Sequence, residues 1–331
     1  MALSESKSKH MKALANDHGV IAAAAMDQRG SLKKSLAAAQ GVDQSQITNE
    51  MMQEFKVVVS KVLTPHASAI LLDTEYGLPA AAVRSKNAGL LLAYELSGYD
   101  TTSAGRMPDL LPDLSARRIR NHGADAVKIL IYYTPDEDPK INDVKHAFVE
   151  RIGSECEQEG IPFFLEFIGY DAQGGDEKGL VYAKKKPEIV IACMAEFSKP
   201  QYYVDMLKVE VLINAEYVEG SSVYKGEKAY SRQEAMGLFR KASDLAQKPF
   251  IYLSAGVSNA QFVESLNMAS EAGTDYSGVL CGRATWKEGI PVYAKQGAKA
   301  LEDWMLDQGV KNINAVNAAI SGAKSYTKKL S

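Results

Sequence analysis

The chain has 331 residues, of which 46% are hydrophobic and 24% charged, and its formal net charge is -3. This composition is typical of globular proteins and argues against disordered, collagen-like and membrane-spanning classes. Because the chain has no overall basic field, we expect it to bind neither nucleic acid nor an anionic membrane, and an anionic small substrate would depend on a few local cations.

The amino-terminal segment lacks the apolar core of a signal peptide, and no apolar run is long enough to span a bilayer. Three cysteines (Cys156, Cys193 and Cys281) are scattered without metal or redox spacing, which fits a reducing compartment. No two of the five histidines share the helical spacing of metal ligands. We therefore expect a cytoplasmic protein that uses no metal and no other cofactor.

Eight short apolar runs recur along the chain, and each is predicted to form a strand buried on both faces, as in a parallel sheet. The runs are residues 20–27, 69–73, 90–95, 126–132, 163–168, 206–211, 250–256 and 278–283. Helical periodicity predicts helices at 48–64, 143–159 and 259–272, and a further one in the tail at 294–306. Ser258 is predicted to cap the third of these helices and Gly273 to end it.

Strand-then-helix units in series, without a composition break or linker, predict a closed (β/α)8 barrel, a TIM barrel, rather than two domains. We assign residues 1–331 to this single domain, with an N-terminal extension and a C-terminal covering helix. The alternative is an open, doubly wound α/β sheet. That fold requires a glycine-rich turn after its first strand, and the segment DQRGS at 27–31 is not one.

Polar and ionisable residues lie within or at the carboxyl ends of the predicted strands, where barrel enzymes carry their catalytic groups. They are Asp27, Asp73, Glu95, Lys128, Glu166, Lys208, Ser254 and Arg283. Because side chains alternate along a strand, Lys128, Glu166 and Lys208 are predicted to point into the barrel. A single lysine in an apolar strand is more often a structural, ion-paired residue. Two lysines and several carboxylates at one rim favour a catalytic site, because burial of unpaired charge is unfavourable.

These groups predict Schiff-base chemistry on a ketose. A lysine amine attacks a carbonyl only when neutral, and a second cation nearby disfavours protonation of an amine. We expect Lys208 to be the nucleophile and Lys128 to be that cation. A protonated imine withdraws electrons, so the neighbouring carbon–carbon bond breaks to give an enamine. Glu166 is the candidate base for the hydroxyl group of the departing part.

Small residues after the last two predicted strands indicate a phosphate site. Residues 254–257 and 282–284 expose backbone N–H groups where the next helices begin, and Arg283 adds a bidentate positive charge. Either loop alone is also consistent with an ordinary glycine turn. The two loops together favour an anion site.

Seven longer segments carry a family resemblance. They are MDQRG (26–30), ILLDTEYG (70–77), GADAVK (123–128), PFFLE (162–166), VDMLKVEV (204–211), YLSAGV (252–257) and GVLCGRATW (278–286). Together they resemble the class I tagatose 1,6-bisphosphate aldolases over nearly the whole chain. Matching words of this length are more specific than any short motif.

The resemblance implies that Lys208 forms the Schiff base and that Glu166 is the acid/base. The other residues that it implies are Asp27, Gln28 and Lys128 around dihydroxyacetone phosphate, and Leu253, Ser254, Gly282 and Arg283 around the 1-phosphate. The implied reaction is reversible cleavage of D-tagatose 1,6-bisphosphate, and of epimers such as fructose 1,6-bisphosphate, to dihydroxyacetone phosphate and D-glyceraldehyde 3-phosphate. Lactose and galactose catabolism is the implied setting, and a homodimer is the implied assembly.

The distal end of the substrate is expected near the loops at 97–112 and 214–231, the second of which carries Tyr217. Candidates for binding the distal anion are Arg29, Arg106, Lys225 and Lys228. Relatives of the family cleave a sulfonated ketose phosphate, so 6-deoxy-6-sulfofructose 1-phosphate is an alternative substrate. A non-catalytic barrel that senses sugar phosphates is another alternative, which the intact Lys208 and Glu166 disfavour.

Overall fold

The computed structural model describes residues 3–97, 99 and 102–330. Eight parallel strands close into a barrel in which each strand pairs with its neighbours in sequence and the first pairs with the last. They are β1 (Ile21–Ala25), β2 (Ala69–Leu72), β3 (Gly89–Ala93), β4 (Ala126–Tyr132), β5 (Phe163–Ile168), β6 (Met206–Glu210), β7 (Phe250–Leu253) and β8 (Gly278–Cys281). The predicted closed barrel is confirmed, and the open-sheet alternative is wrong.

Helices cover the outside of the barrel. They are α1 (Glu5–Leu14), α2 (Gly30–Gln40), α3 (Asn49–Leu63), α4 (Leu78–Ala82), α5 (Ala116–Asn121), α6 (Pro139–Glu159), α7 (Leu180–Phe197), α8 (Arg232–Leu245), α9 (Asn259–Glu271), α10 (Arg283–Trp286), α11 (Ile290–Trp304) and α12 (Val310–Ala319). A two-residue parallel pair, Val218–Glu219 with Tyr230–Ser231, lies outside the barrel. Within the described ranges, no helix combines the length and the apolarity needed to cross a bilayer.

Alternation along the strands divides the core into two layers. Inward side chains such as Ala23, Leu91 and Phe164 form one buried cluster inside the barrel. Outward side chains such as Leu207 and Val209 belong to a second, larger cluster beneath the helices. Each fully buried aliphatic or aromatic side chain contributes about 1.5–3 kcal/mol relative to an exposed one. The apolar interior therefore fills the barrel, and its polar side chains lie towards the carboxyl ends of the strands.

Local signals set the helix ends. Thr48 caps α3 through its side chain, and Ser258 with Gln261 forms a capping box at the start of α9, as Ser258 was predicted to do. Gly273 follows α9 with a φ of 71°, a left-handed conformation that suits glycine at a helix end. The helix predicted at 143–159 begins earlier, because Asp138 caps it and proline at its first position is compatible with a helix start.

The carboxyl-terminal tail is longer than the single helix predicted at 294–306. Residues Met305–Gly309 form a π-helical turn that joins α11 to α12 instead of ending the helix. A Cβ atom at Gly309 would lie 2.8 Å from Cε of Met305, so the glycine lets the turn pack tightly. The helix α12 then packs on α9, where Asn259 donates to the Asn312 carbonyl at 3.1 Å.

The amino-terminal helix α1 closes the floor of the barrel. Its Met11 and Leu14 belong to the same buried cluster as the barrel interior, together with Tyr326 from the other end of the chain. Buried Lys7 in α1 pairs with Asp205 at 2.7 Å. The floor is thus sealed by both termini, which leaves the carboxyl ends of the strands as the open face.

Candidate active site

Three strands bring two lysines and a glutamate together on the inner face of the barrel. Lys128 on β4, Glu166 on β5 and Lys208 on β6 point inward, as strand alternation predicted, and Glu166 lies opposite Lys208 in the strand register. The Nζ atom of Lys208 donates to Oε2 of Glu166 at 2.8 Å, and the Nζ atom of Lys128 lies 2.8 Å from the same oxygen. One carboxylate oxygen therefore contacts the Nζ atoms of both lysines.

Lys128 has two further carboxylate partners. Its Nζ atom lies 2.9 Å from Asp27 Oδ2, just past β1, and 2.7 Å from Glu95 Oε1, just past β3. Burial disfavours the charge of Lys128, but attraction to Asp27, Glu166 and Glu95 outweighs burial and holds its pKa well above the usual value. Lys128 is therefore a permanent cation, whereas Lys208 has a single carboxylate partner within the described residues.

The two carboxyl groups beyond the strand ends differ in their protonation. Burial disfavours the Asp27 anion, but attraction to Lys128 and Lys208 outweighs it and holds the pKa of Asp27 well below the usual range. Burial raises the pKa of Glu95, and the charge of Asp27 adds to this effect against the attraction of Lys128. The Oε2 atom of Glu95 is buried and has no hydrogen-bond partner in the described structure. Asp27 is thus the fixed anion, and Glu95 is the more readily protonated group.

A buried lysine outside the barrel fixes the segment that carries Asp27. Lys56 on α3 donates to the carbonyl oxygens of Met26 at 2.6 Å and Gln28 at 2.8 Å, and to Asp73 at 2.6 Å. Lys56 and Asp73 are completely buried. Asp73, which the sequence placed at the catalytic rim, therefore serves this outer ion pair.

Gln28 and Arg29, the two residues that follow Asp27, contact different loops. The Nε2 atom of Gln28 would lie 3.3 Å from a Cβ atom at Gly282, so Gln28 reaches the predicted phosphate loop. Arg29 is buried, and its guanidinium group donates to Glu75 at 3.0 Å and to the Glu95 carbonyl at 2.7 Å. Arg29 thus braces the loops after β1, β2 and β3. Its role in substrate binding stays a prediction, and these contacts do not favour it.

The loops after β7 and β8 line a cavity of about 530 Å³ that includes Leu253, Ser254 and Arg283. Ala255 and Gly256 both have left-handed backbone angles, with φ of 46° and 77°. A Cβ atom at Gly256 would lie 2.7 Å from Cζ of Arg283, so glycine lets the guanidinium group lie against the loop. Backbone strain at a non-glycine residue is often found at ligand sites.

The helix after Gly282 contributes less than the sequence suggested. The helix α10 has four residues, so its peptide dipoles sum to little, and the capping box of α9 uses the N–H groups of Ser258 and Gln261. The charge of Arg283 and the turn at 254–257 therefore dominate this end of the cavity.

The rim loops cover the lysine cluster. Arg106, with a φ of 44°, pairs with Glu177 at 2.5 Å and lies over the rings of Tyr132 and Tyr170. Tyr99 donates its hydroxyl hydrogen to the Leu130 carbonyl. Only 4% of Lys208 is exposed, so its amine lies deep beneath these loops.

The other candidates for the distal anion lie elsewhere. Lys225 pairs with Glu216 and Lys228 pairs with Glu219, and both lysines are exposed. Tyr217 is half-buried, and neither it nor the two lysines lines the cavity. Three other lining residues, Lys178, Lys186 and Lys287, were not among the sequence candidates. No group of three or more metal-ligating side chains was found in the described part of the chain, and metal independence stays a prediction.

A closed parallel barrel with a lysine–carboxylate cluster at its carboxyl-terminal face is the architecture of an aldolase-type barrel enzyme. A family model described as "DeoC/LacD family aldolase" matches residues 21–288. The chain belongs to this family of aldolases and is a carbon–carbon lyase. The resemblance found in the sequence is confirmed.

Several curated relatives match nearly the full chain. A tagatose 1,6-diphosphate aldolase of Listeria innocua is 52% identical over 95% of this chain and 91% of the relative. Tagatose 1,6-diphosphate aldolase 2 of Enterococcus faecalis is 50% identical over 98% and 96%, respectively. A tagatose 1,6-diphosphate aldolase of Streptococcus agalactiae is 48% identical over 99% and 100%.

A solved structure shares the fold. It is a fructose-bisphosphate aldolase of Plasmodium falciparum, with a TM-score of 0.69 over 98% of this chain and 97% of that chain. The sequence identity is 14%, so this likeness supports the barrel fold alone.

Proposed function

We propose that the chain is a class I aldolase that reversibly cleaves D-tagatose 1,6-bisphosphate, and epimeric ketose 1,6-bisphosphates, to dihydroxyacetone phosphate and D-glyceraldehyde 3-phosphate. The observation that carries this proposal is the pair of lysines, Lys208 and Lys128, on one oxygen of Glu166 inside the barrel. The names of relatives about half identical to this chain support the choice of sugar.

The first half of the reaction forms the protonated imine, which withdraws electrons from the bond that breaks. The neutral amine of Lys208 attacks the ketone carbon at C2, and the resulting carbinolamine loses water to give a protonated imine. Lys128 cannot take this role, because three carboxylates hold its proton. Its fixed charge disfavours a second ammonium group beside it and so favours the neutral amine of a nucleophile.

The second half breaks the bond between C3 and C4. Glu166, in contact with Lys208, accepts the proton of the C4 hydroxyl group, and the electron pair of the broken bond moves into the imine to form an enamine. The aldehyde product, glyceraldehyde 3-phosphate, then leaves. Protonation of the enamine at C3 and hydrolysis of the imine release dihydroxyacetone phosphate and restore the amine.

Trapping with borohydride tests the nucleophile. Incubation with dihydroxyacetone phosphate and borohydride should add a stable mass to the peptide that contains Lys208, as measured by peptide mass spectrometry. A label on Lys128 would contradict the assignment of roles. Absence of any label would favour a barrel that binds sugar phosphates without catalysis.

A turnover panel tests the substrate. Tagatose, fructose and psicose bisphosphates should all be cleaved, because the proposed chemistry involves the carbonyl and the C4 hydroxyl whatever the configurations of C3 and C4. Faster turnover of 6-deoxy-6-sulfofructose 1-phosphate than of every bisphosphate would replace the proposed sugar by the sulfonated one.

A further inference from the structure

Three cations line one end of the cavity. Arg283 lies at the start of α10, Lys287 follows the same helix, and Lys178 lies in the loop between β5 and α7. The Nζ atom of Lys287 donates to the Gly256 carbonyl at 3.0 Å, which fixes it beside the loop against which the Arg283 guanidinium group lies. Two separate loops therefore direct positive charge to the same end.

These three cations have no carboxylate partner among the described residues, unlike other cations in and around the cavity. Among the described residues, none of the three forms an ion pair. By contrast, Lys186 in the same lining pairs with Glu210 at 3.1 Å, and Arg106 at the rim pairs with Glu177. Burial lowers the pKa of Lys287, and the repulsion of Arg283 and Lys178 lowers it further against the attraction of Glu288. Arg283 and Lys178 are exposed and Lys287 is half-buried, so solvent reaches all three, but like charges that converge in this way repel one another and a bound anion relieves the repulsion.

We propose that Lys178 and Lys287 complete the binding site for the doubly charged phosphate at the ketone end of the substrate. This inference rests on the proposed function and deepens it. Lys287 contributes a fixed charge from the β8 side, and Lys178 a second charge from across the cavity, so the phosphate lies among three cations. The two lysines select a phosphorylated triose over its neutral counterpart, because only the phosphate brings negative charge to the cluster.

The test compares two probes of Lys208 trapping, dihydroxyacetone phosphate and unphosphorylated dihydroxyacetone. In K287M and K178M, the dihydroxyacetone phosphate concentration that gives half-maximal trapping should rise about tenfold in each case, the usual effect of losing one charge-assisted contact. Trapping of dihydroxyacetone should be unchanged. Retention of wild-type values for both probes in both variants would overturn the proposal.

Two further variants control for fold and position. K287R keeps the charge and should restore most of the affinity, which a merely structural role of the side chain would not explain. K185M removes an exposed lysine of α7 that pairs with Asp171 at 2.7 Å, outside the cavity lining, and should leave both probes unchanged. An equal loss for dihydroxyacetone, or an equal loss in K185M, would count against a phosphate site.

Calorimetry with inorganic phosphate separates this inference from the proposed function. If wild-type protein trapped neither triose, the proposed function would fail. Weaker phosphate binding in K287M and K178M than in wild type would still support the cationic site, whereas equal affinities would overturn it.

Discussion

The two ends of the candidate site differ in the burial and in the pairing of their charges: Lys128 and Lys208 are buried, whereas Arg283 and Lys178 are exposed and Lys287 is half-buried. At the strand-borne end, Lys128 has three carboxylates within 2.7–2.9 Å, and Lys208 shares one of them. At the loop-borne end, Arg283, Lys178 and Lys287 have no carboxylate partner within the described residues. Both ends open on the same face of the barrel, and they lie on different elements.

The two ends therefore obtain their counter-charges from different sources. The protein supplies them at the strand-borne end, and the substrate supplies them at the loop-borne end. A buried cation with its carboxylates present is organised before binding, so the proton-transfer groups need no rearrangement. An unpaired set of cations gains its counter-charge only on binding, so the phosphate supplies binding energy for positioning. Stability should therefore depend on the paired end, and affinity on the unpaired end.

The largest effect on activity is expected from E166Q, which tests whether the strand-borne, paired end of the site carries out proton transfer. Glutamine keeps the shape of Glu166 but cannot accept a proton, so kcat for cleavage should fall by about 10²–10⁴-fold in steady-state assays. If Glu166 acts only in cleavage, borohydride should still trap the uncleaved substrate on Lys208. Loss of trapping with an intact fold would mean that Glu166 also moves protons during dehydration. A nearly unchanged kcat would make another carboxylate, with Asp27 first, the base.

The next effect, on stability, comes from K128M. Removal of Lys128 leaves the Asp27, Glu95 and Glu166 carboxyl groups buried without their shared cation, and breaking such a buried set typically costs about 3–5 kcal/mol. The free energy of unfolding, measured by urea denaturation, should fall by that amount. Unchanged stability would show that the paired end is not a structural requirement, and the comparison would fail.

A smaller effect is expected at the unpaired end from R283A. KM for phosphorylated ketoses should rise by an order of magnitude or more, a loss of about 1.5–3 kcal/mol of charge-assisted hydrogen bonding. The free energy of unfolding should stay the same or rise, because a cation without a carboxylate partner is removed. Unchanged kinetics would place the phosphate elsewhere, and a large loss of stability would remove the contrast with K128M.

No effect is expected from chelation. The proposed chemistry at both ends uses side-chain charges, so EDTA should leave the turnover rate unchanged in the same assay. Loss of activity that zinc or another divalent ion restores would move the protein to the metal-dependent class and would make the charge comparison irrelevant to catalysis.

The strand-borne residues were predictable because a strand has a fixed period. The apolar residues next to Lys128, Glu166 and Lys208 were predicted to face the helices, so these three charged side chains were predicted to face the inside of the barrel. The structure confirms this orientation. The predicted strands at 20–27 and 278–283 run too far, because the polar residues Asp27 and Arg283 that follow the strands were included in them. Sequence periodicity therefore locates side chains better than it locates strand ends.

The loop-borne contacts had no such period. In the sequence, nothing distinguished Arg29, Arg106 and Lys225 as candidates for the distal anion, and only the folded loops show each paired with a glutamate. Lys178 and Lys287 had no distinguishing neighbours, since their shared position depends on two loops that are far apart in sequence. The buried position of Lys56 had one indication in the sequence: this charged residue follows Phe55 in a predicted helix with an apolar stripe.

Closure of the barrel has a consequence for synthesis of the chain. Ile21 on β1 pairs with Gly278 on β8, so one edge of β1 stays unpaired until the last strand leaves the ribosome. At about 5–20 residues per second, that interval is roughly 13–50 s. An unpaired apolar edge is a template for pairing with other chains, and β1 reads IAAAA without a charge to prevent it. During translation, β1 is therefore a segment of the nascent chain with one strand edge open to other chains.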